Sequence, residues 1–321
     1  MSNHFIKCGK TQLSINLVMM IMLSLFFLRC TKEPKEYPWH IVEEIPVGEA
    51  PRGITVLPNG AYAYVANGYN VSVIRTSDNT VTETIPIGSP TWFLTSLPNS
   101  EYIYVTSQSI PVIRTSDNTV VDTVHTGSYA DHITALPNGE FVYVTTDSDV
   151  SVIRTSDNTV IDTIPIYGKP KGIAASPNGD YVYVASQDSN VIFVIRTFDN
   201  TITNTISLGE LPPYRIAVLP NGEYLYITGI TVLVIRLSDN TVIDTVPSGL
   251  MPGGVAALSN SEYVYVACWE SHNVSVIRVA DNTVVETIET GDLIEDVAVH
   301  PDGEFIYVTG TSGSKVFVIG F

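Results

Sequence analysis

Residues 51–88 read PRGITVLPNGAYAYVANGYNVSVIRTSDNTVTETIPIG, and nearly all of the chain after residue 40 is this stretch written again. Three landmarks track it. The turn LPNG at 57–60 returns as LPNS at 97–100, LPNG at 136–139, SPNG at 176–179, LPNG at 219–222, LSNS at 258–261 and HPDG at 300–303. The strand-like YAYVA at 62–66 returns as YIYVT, FVYVT, YVYVA, YLYIT, YVYVA and FIYVT. The run VIR followed by SDNT places aspartates at Asp78, Asp117, Asp157, Asp199, Asp239 and Asp281, which fall 39 to 42 residues apart.

A period near 40 is that of propeller blades. Each module resolves into four short strands. GITVLP is strand a and stops at a Pro-Asn-Gly turn, where proline presets one dihedral and Asn-Gly tolerates positive ones. YAYVA alternates with the period of two of a strand, strand b. VSVIR is strand c, and after Ser-Asp-Asn the chain returns as strand d, TVTETIPIG. Pro46, Pro86, Pro165 and Pro247 share one register in d. Proline removes a ladder donor, so d is the outer edge and a the inner one.

The last module supplies a, b and c. Its d-like text stands at the other end of the sequence, HIVEEIPVG at 40–48. The expectation is therefore an all-β, seven-bladed β-propeller of four-stranded antiparallel blades over 40–321, closed by the N-terminal strand pairing with the C-terminal three. Closure also removes exposed sheet edges.

Residues 1–30 are a different text. Lys7 and Lys10 precede an apolar run at 17–28, long enough for a signal-peptide core and short for a spanning helix. They are expected to act as a signal peptide, with an uncleaved signal anchor as the second reading and a buried N-terminal helix as the third. Residues 31–39 form a short polar tether. Cys30 is the candidate lipidation site, although Arg29 stands where a small residue is expected.

The chain carries 33 acidic and 16 basic residues, a net charge of -17. That balance argues against nucleic-acid partners and against anionic lipid binding by the ring. Contact with a membrane is expected only through the N-terminal segment or a lipid on Cys30.

The repeat resembles the YVTN-type β-propeller family, whose units run Pro-x-Gly, a short apolar strand, a Pro-Asp/Asn-Gly turn, a YVAN-like strand, VSVI and TV…TIPVG. The closest match is YAYVANGYNVSVIRTSDNTVTETIPIG, and the likeness covers about 40–321. Arg75, Arg114, Arg154, Arg196, Arg236 and Arg278 stand where that family usually has aspartate. The resemblance implies an exported or surface-associated protein, located in the cell envelope or on the surface. Lactonase-type, streptogramin-lyase-type and copper-containing propellers are also similar in fold. No cofactor or metal is expected, since the ring's five histidines are scattered.

Within the repeat, the a–b and c–d turns are nearly constant, whereas the d–a and b–c connections vary. Variation on a constant scaffold marks binding loops. Aligned strand a entrances bring Arg52, Trp92, Asp131, Lys171, Tyr214 and Glu295 to one level of the channel mouth. Phe93, His132, Arg215 and Asp296 occupy the next level, alternating with glycines. Arg52, Lys171 and Arg215 would suit a carboxylate, and Trp92 or Tyr214 a stacked ring. Trp269, in the long b–c connection of blade 6, is the candidate partner contact.

No linear catalytic motif is present. Asp131 and His132 are adjacent on an expected strand, where neighbours face opposite ways, so they are not expected to act together. The expected function is a non-catalytic envelope propeller that binds a protein or glycan or packs with like subunits. The alternative is a lactonase- or lyase-like enzyme at the channel mouth.

Overall fold

In the computed structural model, which describes residues 39–320, seven four-stranded antiparallel sheets follow one another as blades. Blade 1 is strand a Pro51–Val56, b Tyr62–Asn67, c Asn70–Arg75 and d Thr80–Pro86. Blade 7 combines a (Ile294–Val299), b (Phe305–Gly310) and c (Lys315–Gly320) with a d strand from the other end of the sequence, His40–Pro46. That d strand pairs antiparallel with c, from His40 opposite Gly320 to Pro46 opposite Lys315. The expected signal peptide, Cys30 and all but the last residue of the expected tether lie outside the described residues.

Each blade has two apolar faces, and the core is correspondingly divided into seven clusters between neighbouring blades. Tyr64, Val71, Val73 and Ile85 of blade 1 pack against Leu94, Ile103, Val105 and Ile113 of blade 2. The closing cluster is built alike, with Ile45, Tyr307, Val316 and Val318 of blade 7 against Ile54, Val56 and Val65 of blade 1.

The constant c–d turn is explained by more than turn chemistry. Its aspartate holds the arginine that ends strand c, as in Arg75–Asp78 at 2.7 Å, which accounts for the six arginines. Its asparagine sits at positive φ, 52° at Asn118, a conformation asparagine tolerates better than most residues. The same Asn118 reaches back to the preceding blade, accepting from the Tyr64 hydroxyl at 2.7 Å and donating to Glu83 at 2.8 Å. Equivalent clamps join Tyr104 and Asp122 to Asn158, and Tyr143 and Asp162 to Asn200. Across the seam, Tyr307 donates to Asn79 at 3.0 Å and Asn79 donates to Glu43 at 2.8 Å. The N-terminal strand therefore supplies an ordinary member of the clamp series.

Candidate functional site at the channel mouth

The mouth is built where strand a begins. In blades 1, 4 and 6 the inner level carries Gly53, Gly172 and Gly254. A Cβ on each would meet the backbone of the following blade at 2.7 Å from Phe93, 2.6 Å from Arg215 and 2.6 Å from Asp296. The glycines thus let the neighbouring blade approach, and the large side chains of that blade fill the centre.

In blades 2, 3 and 5, regular strand a starts only after the site residue, at Leu94, Ile133 and Ile216. A local bulge lies there, as it does at the matching place in blades 1, 4, 6 and 7. Asp131 N–H donates to the Thr145 carbonyl at 2.8 Å, while Thr145 N–H donates to the His132 carbonyl at 2.9 Å. Two residues therefore oppose one, the geometry that re-aims side chains next to sites. Trp92–Phe93 with Thr106 and Tyr214–Arg215 with Thr228 repeat the pattern. This corrects the expectation that Asp131 and His132 face apart. Asp131 Oδ1 lies 3.2 Å from His132 Nδ1, because strict alternation fails across a bulge.

His132 is buried and stacks on Phe93 with ring centroids 4.2 Å apart. The other side of that cluster is Arg215, whose guanidinium carbon lies 4.0 Å from the Phe93 ring centre. Tyr214 meets His132 edge-on at 6.0 Å. Arg215, also buried, is held by Glu295 at 3.0 Å and Asp296 at 3.1 Å. Together Phe93, His132, Arg215 and Asp296 line a cavity of about 120 Å³ at the centre of the ring. Neither ring nitrogen of His132 has a well-aligned hydrogen-bond partner, and Arg215 Nε has none. Buried polar groups are rarely left so, which makes this cavity the place where a polar ligand or water is wanted.

The electrostatics follow from burial and pairing. Burial lowers the His132 pKa, outweighing the upward pull of Asp131, so the imidazole stays neutral near neutral pH. Burial alone would raise Asp131, but His132 and Lys171, which is salt-bridged to it, hold its carboxyl below the ordinary range. Asp296 is pushed up by burial, with Arg215 and the Ile54 N–H only partly offsetting it. Arg215 is disfavoured by burial, yet Asp296 and Glu295 carry its pKa upward overall. Buried ion pairs of this kind are poor sources of stability, and such clusters in a cleft are characteristic of functional sites.

The expected cationic trio is divided. Lys171 is committed to Asp131 and Arg52 lies over the Trp92 ring at 4.5 Å, so Arg215 alone of the three lines the central cavity. Trp269 is half-buried; with Tyr214, Leu250, Met251 and Glu295 it lines a larger hollow of about 550 Å³ beside the mouth. Phe93 was missed as a site residue, although it occupies the same aligned level as His132 and Arg215.

Strand b carried a further signal. It has Thr106, Thr145, Thr228 and Thr309 in the blades that present Phe93, His132, Arg215 and Asp296. It has Ala66, Ala185 and Ala267 in those that present glycine. Each threonine Oγ1 accepts the backbone N–H of its site residue, at 2.9 to 3.1 Å. No group of three or more His, Cys, Asp or Glu among the described residues is gathered to hold a metal ion.

A family model described as "Lactonase, 7-bladed beta-propeller" matches residues 31–204, just over half of the chain. Among solved structures, the chain is similar to the hydrazine synthase of Kuenenia stuttgartiensis, with a TM-score of 0.79 and 17% identity over 85% of this chain and 96% of that one. It is similar also to the β-propeller domain of Cps50 (Swd1) of Myceliophteria thermophila, with a TM-score of 0.77 and 11% identity over 88% of this chain and 100% of that one. At these identities the two structures speak for the fold. No curated protein sequence matches the chain. The family match overturns the expectation of a non-catalytic module. That expectation rested on the lack of a linear motif, but in a ring a site is gathered from several blades, with His132 and Arg215 more than 80 residues apart, and leaves no compact linear trace.

Proposed function

The chain belongs to the lactonase family of seven-bladed β-propellers, and from that premise we propose that it hydrolyses a lactone at the cavity that His132 and Arg215 line with Phe93 and Asp296. The observation that carries the reading is the buried, neutral His132 with Asp131 at its Nδ1 and an Nε2 that no group of the fold satisfies. With its proton on Nδ1 toward Asp131, the imidazole keeps an Nε2 lone pair and acts as general base. It takes a proton from water as the water oxygen attacks the lactone carbonyl. Arg215, fixed by Glu295 and Asp296, stabilises the oxyanion. The ring C–O bond then breaks, the protonated imidazole returns its proton to the leaving alkoxide, and a hydroxy acid results. Asp131 and Lys171 are positioning residues behind His132.

The test is a screen of γ- and δ-lactones with the full-length protein. Ring-opening that drops at least about 100-fold in His132→Ala supports the assignment. Ring-opening unchanged by that variant, or no turnover of any lactone, would overturn it.

The reading extends to location. The YVTN-like text of the repeat, the basic residues ahead of the apolar run at 17–28 and the acidic ring support an exported protein of the envelope or cell surface, with Cys30 as a lipid attachment point. Mass spectrometry of the mature N-terminus tests this. An intact N-terminus on a soluble protein in the cytoplasmic fraction would refute export.

A further inference from the structure

The large hollow beside the mouth holds none of the groups assigned to proton transfer or oxyanion binding, and its chemistry differs from that of the centre. Leu250 and Met251, 66% and 53% exposed, line it together with the exposed Ile230 and the half-buried Trp269. Leu250 and Met251 follow Gly249 in the connection from blade 5 to blade 6. This is the one d–a connection of the seven in which both residues after the glycine are large and apolar; the corresponding pairs include Glu49-Ala50, Ser89-Pro90 and Glu210-Leu211.

Two features join the hollow to the cavity. Tyr214 lines it while meeting His132 edge-on, and Glu295 lines it while holding Arg215. No lysine, arginine or histidine lines it, whereas Glu270 and Glu295 do. A phosphate or carboxylate on the distal part of a substrate would meet two carboxylates and no cation. Resting on the hydrolytic reading above, we infer that the hollow receives an uncharged alkyl or acyl chain, so that the substrate class is a lactone carrying an apolar tail. At about 550 Å³ the hollow falls in the range of small-molecule sites. Anchoring a tail there would hold the ring at His132 in the orientation that the reaction needs.

The experiment compares an unsubstituted γ-lactone with homologues bearing linear alkyl chains of increasing length, using the full-length protein. In parallel, binding of the matching γ-lactams, which resist hydrolysis, is measured by calorimetry. The expected result is a rise in kcat/KM of up to about fourfold per added methylene until the hollow is filled. That slope should flatten in Leu250→Ser and Ile230→Ser, both at exposed positions that leave the core untouched.

A flat series in the wild-type protein, with the unsubstituted ring turned over, overturns the tail site and leaves the hydrolytic reading standing. A slope unchanged in both variants also overturns it. Should no lactone be opened, lactam affinity that grows with chain length and falls about tenfold in Leu250→Ser still supports the hollow as a tail site. Affinity independent of chain length sinks it.

Discussion

Thr228 Oγ1 accepts the backbone N–H of Arg215 at 3.1 Å and donates to the Gly253 carbonyl of the next blade at 2.7 Å. One hydroxyl thus fixes the bulge that presents the central arginine and ties it across the blade boundary. Thr145 does the same for His132, donating to the Lys171 carbonyl at 3.0 Å. Thr228→Ala is expected to lower stability by about 1–3 kcal/mol, since two buried backbone groups lose a partner. It should also reduce kcat/KM on the order of 10- to 100-fold through misplacement of Arg215. Thr228→Ser restores both if the hydroxyl is what matters. Equal losses in the serine variant would assign the effect to the methyl group's packing instead.

The acid limb of kcat/KM should lie below pH 6.5, the ordinary histidine value, because burial lowers the His132 pKa. Asp131→Asn removes the strongest influence holding that pKa up, so the limb moves lower still, while kcat falls about 10²-fold or more as the tautomer is lost. Rate–pH profiles of the two proteins check both. A limb above pH 6.5 in the wild type would exclude His132 as the base.

Stability should fall with acid in a way that His132 accounts for in part. Its folded pKa is depressed, so the unfolded state binds its proton first, and the contribution is complete above about pH 6.5 and lost as pH falls through the folded value. Asp131, also depressed, adds a loss that sets in below its ordinary 3.8, whereas Asp296, raised by burial, acts in the opposite sense. The readout is therefore the difference between wild type and His132→Gln. The variant's melting temperature should change less between pH 7 and pH 5, and parallel curves would contradict the assignment.

Closure of the ring is testable at Ile45, which is buried between blades 7 and 1. Ile45→Ala should cost about 2–5 kcal/mol in urea unfolding. Val42, 44% exposed on the same strand, serves as the comparison, and Val42→Ala should stay within about 0.5 kcal/mol. Equal, small effects would mean that the N-terminal strand contributes little to the ring.

Sequence by itself determined the strands, their order in each blade, the number of blades and the partner of residues 40–48, because a repeat states the same local solution seven times and one misreading is corrected by six others. It also brought Arg52, Trp92, Asp131, Lys171, Tyr214, Arg215, Glu295 and Asp296 to one mouth by simple alignment. Only the tertiary structure decided which of these act together. Asp131 and His132 meet because a bulge against Thr145 breaks the alternation that governs a regular strand. Arg215 stands at the centre with Phe93 and His132 because Gly172 leaves room for its backbone, while Lys171 and Arg52 are drawn aside by Asp131 and Trp92. The first depends on an irregularity in strand pairing within one blade that alternation alone does not foresee, and the rest on contacts between residues 40 or more positions apart, where distance through space is set by the packing of blades and not by any local pattern in the chain.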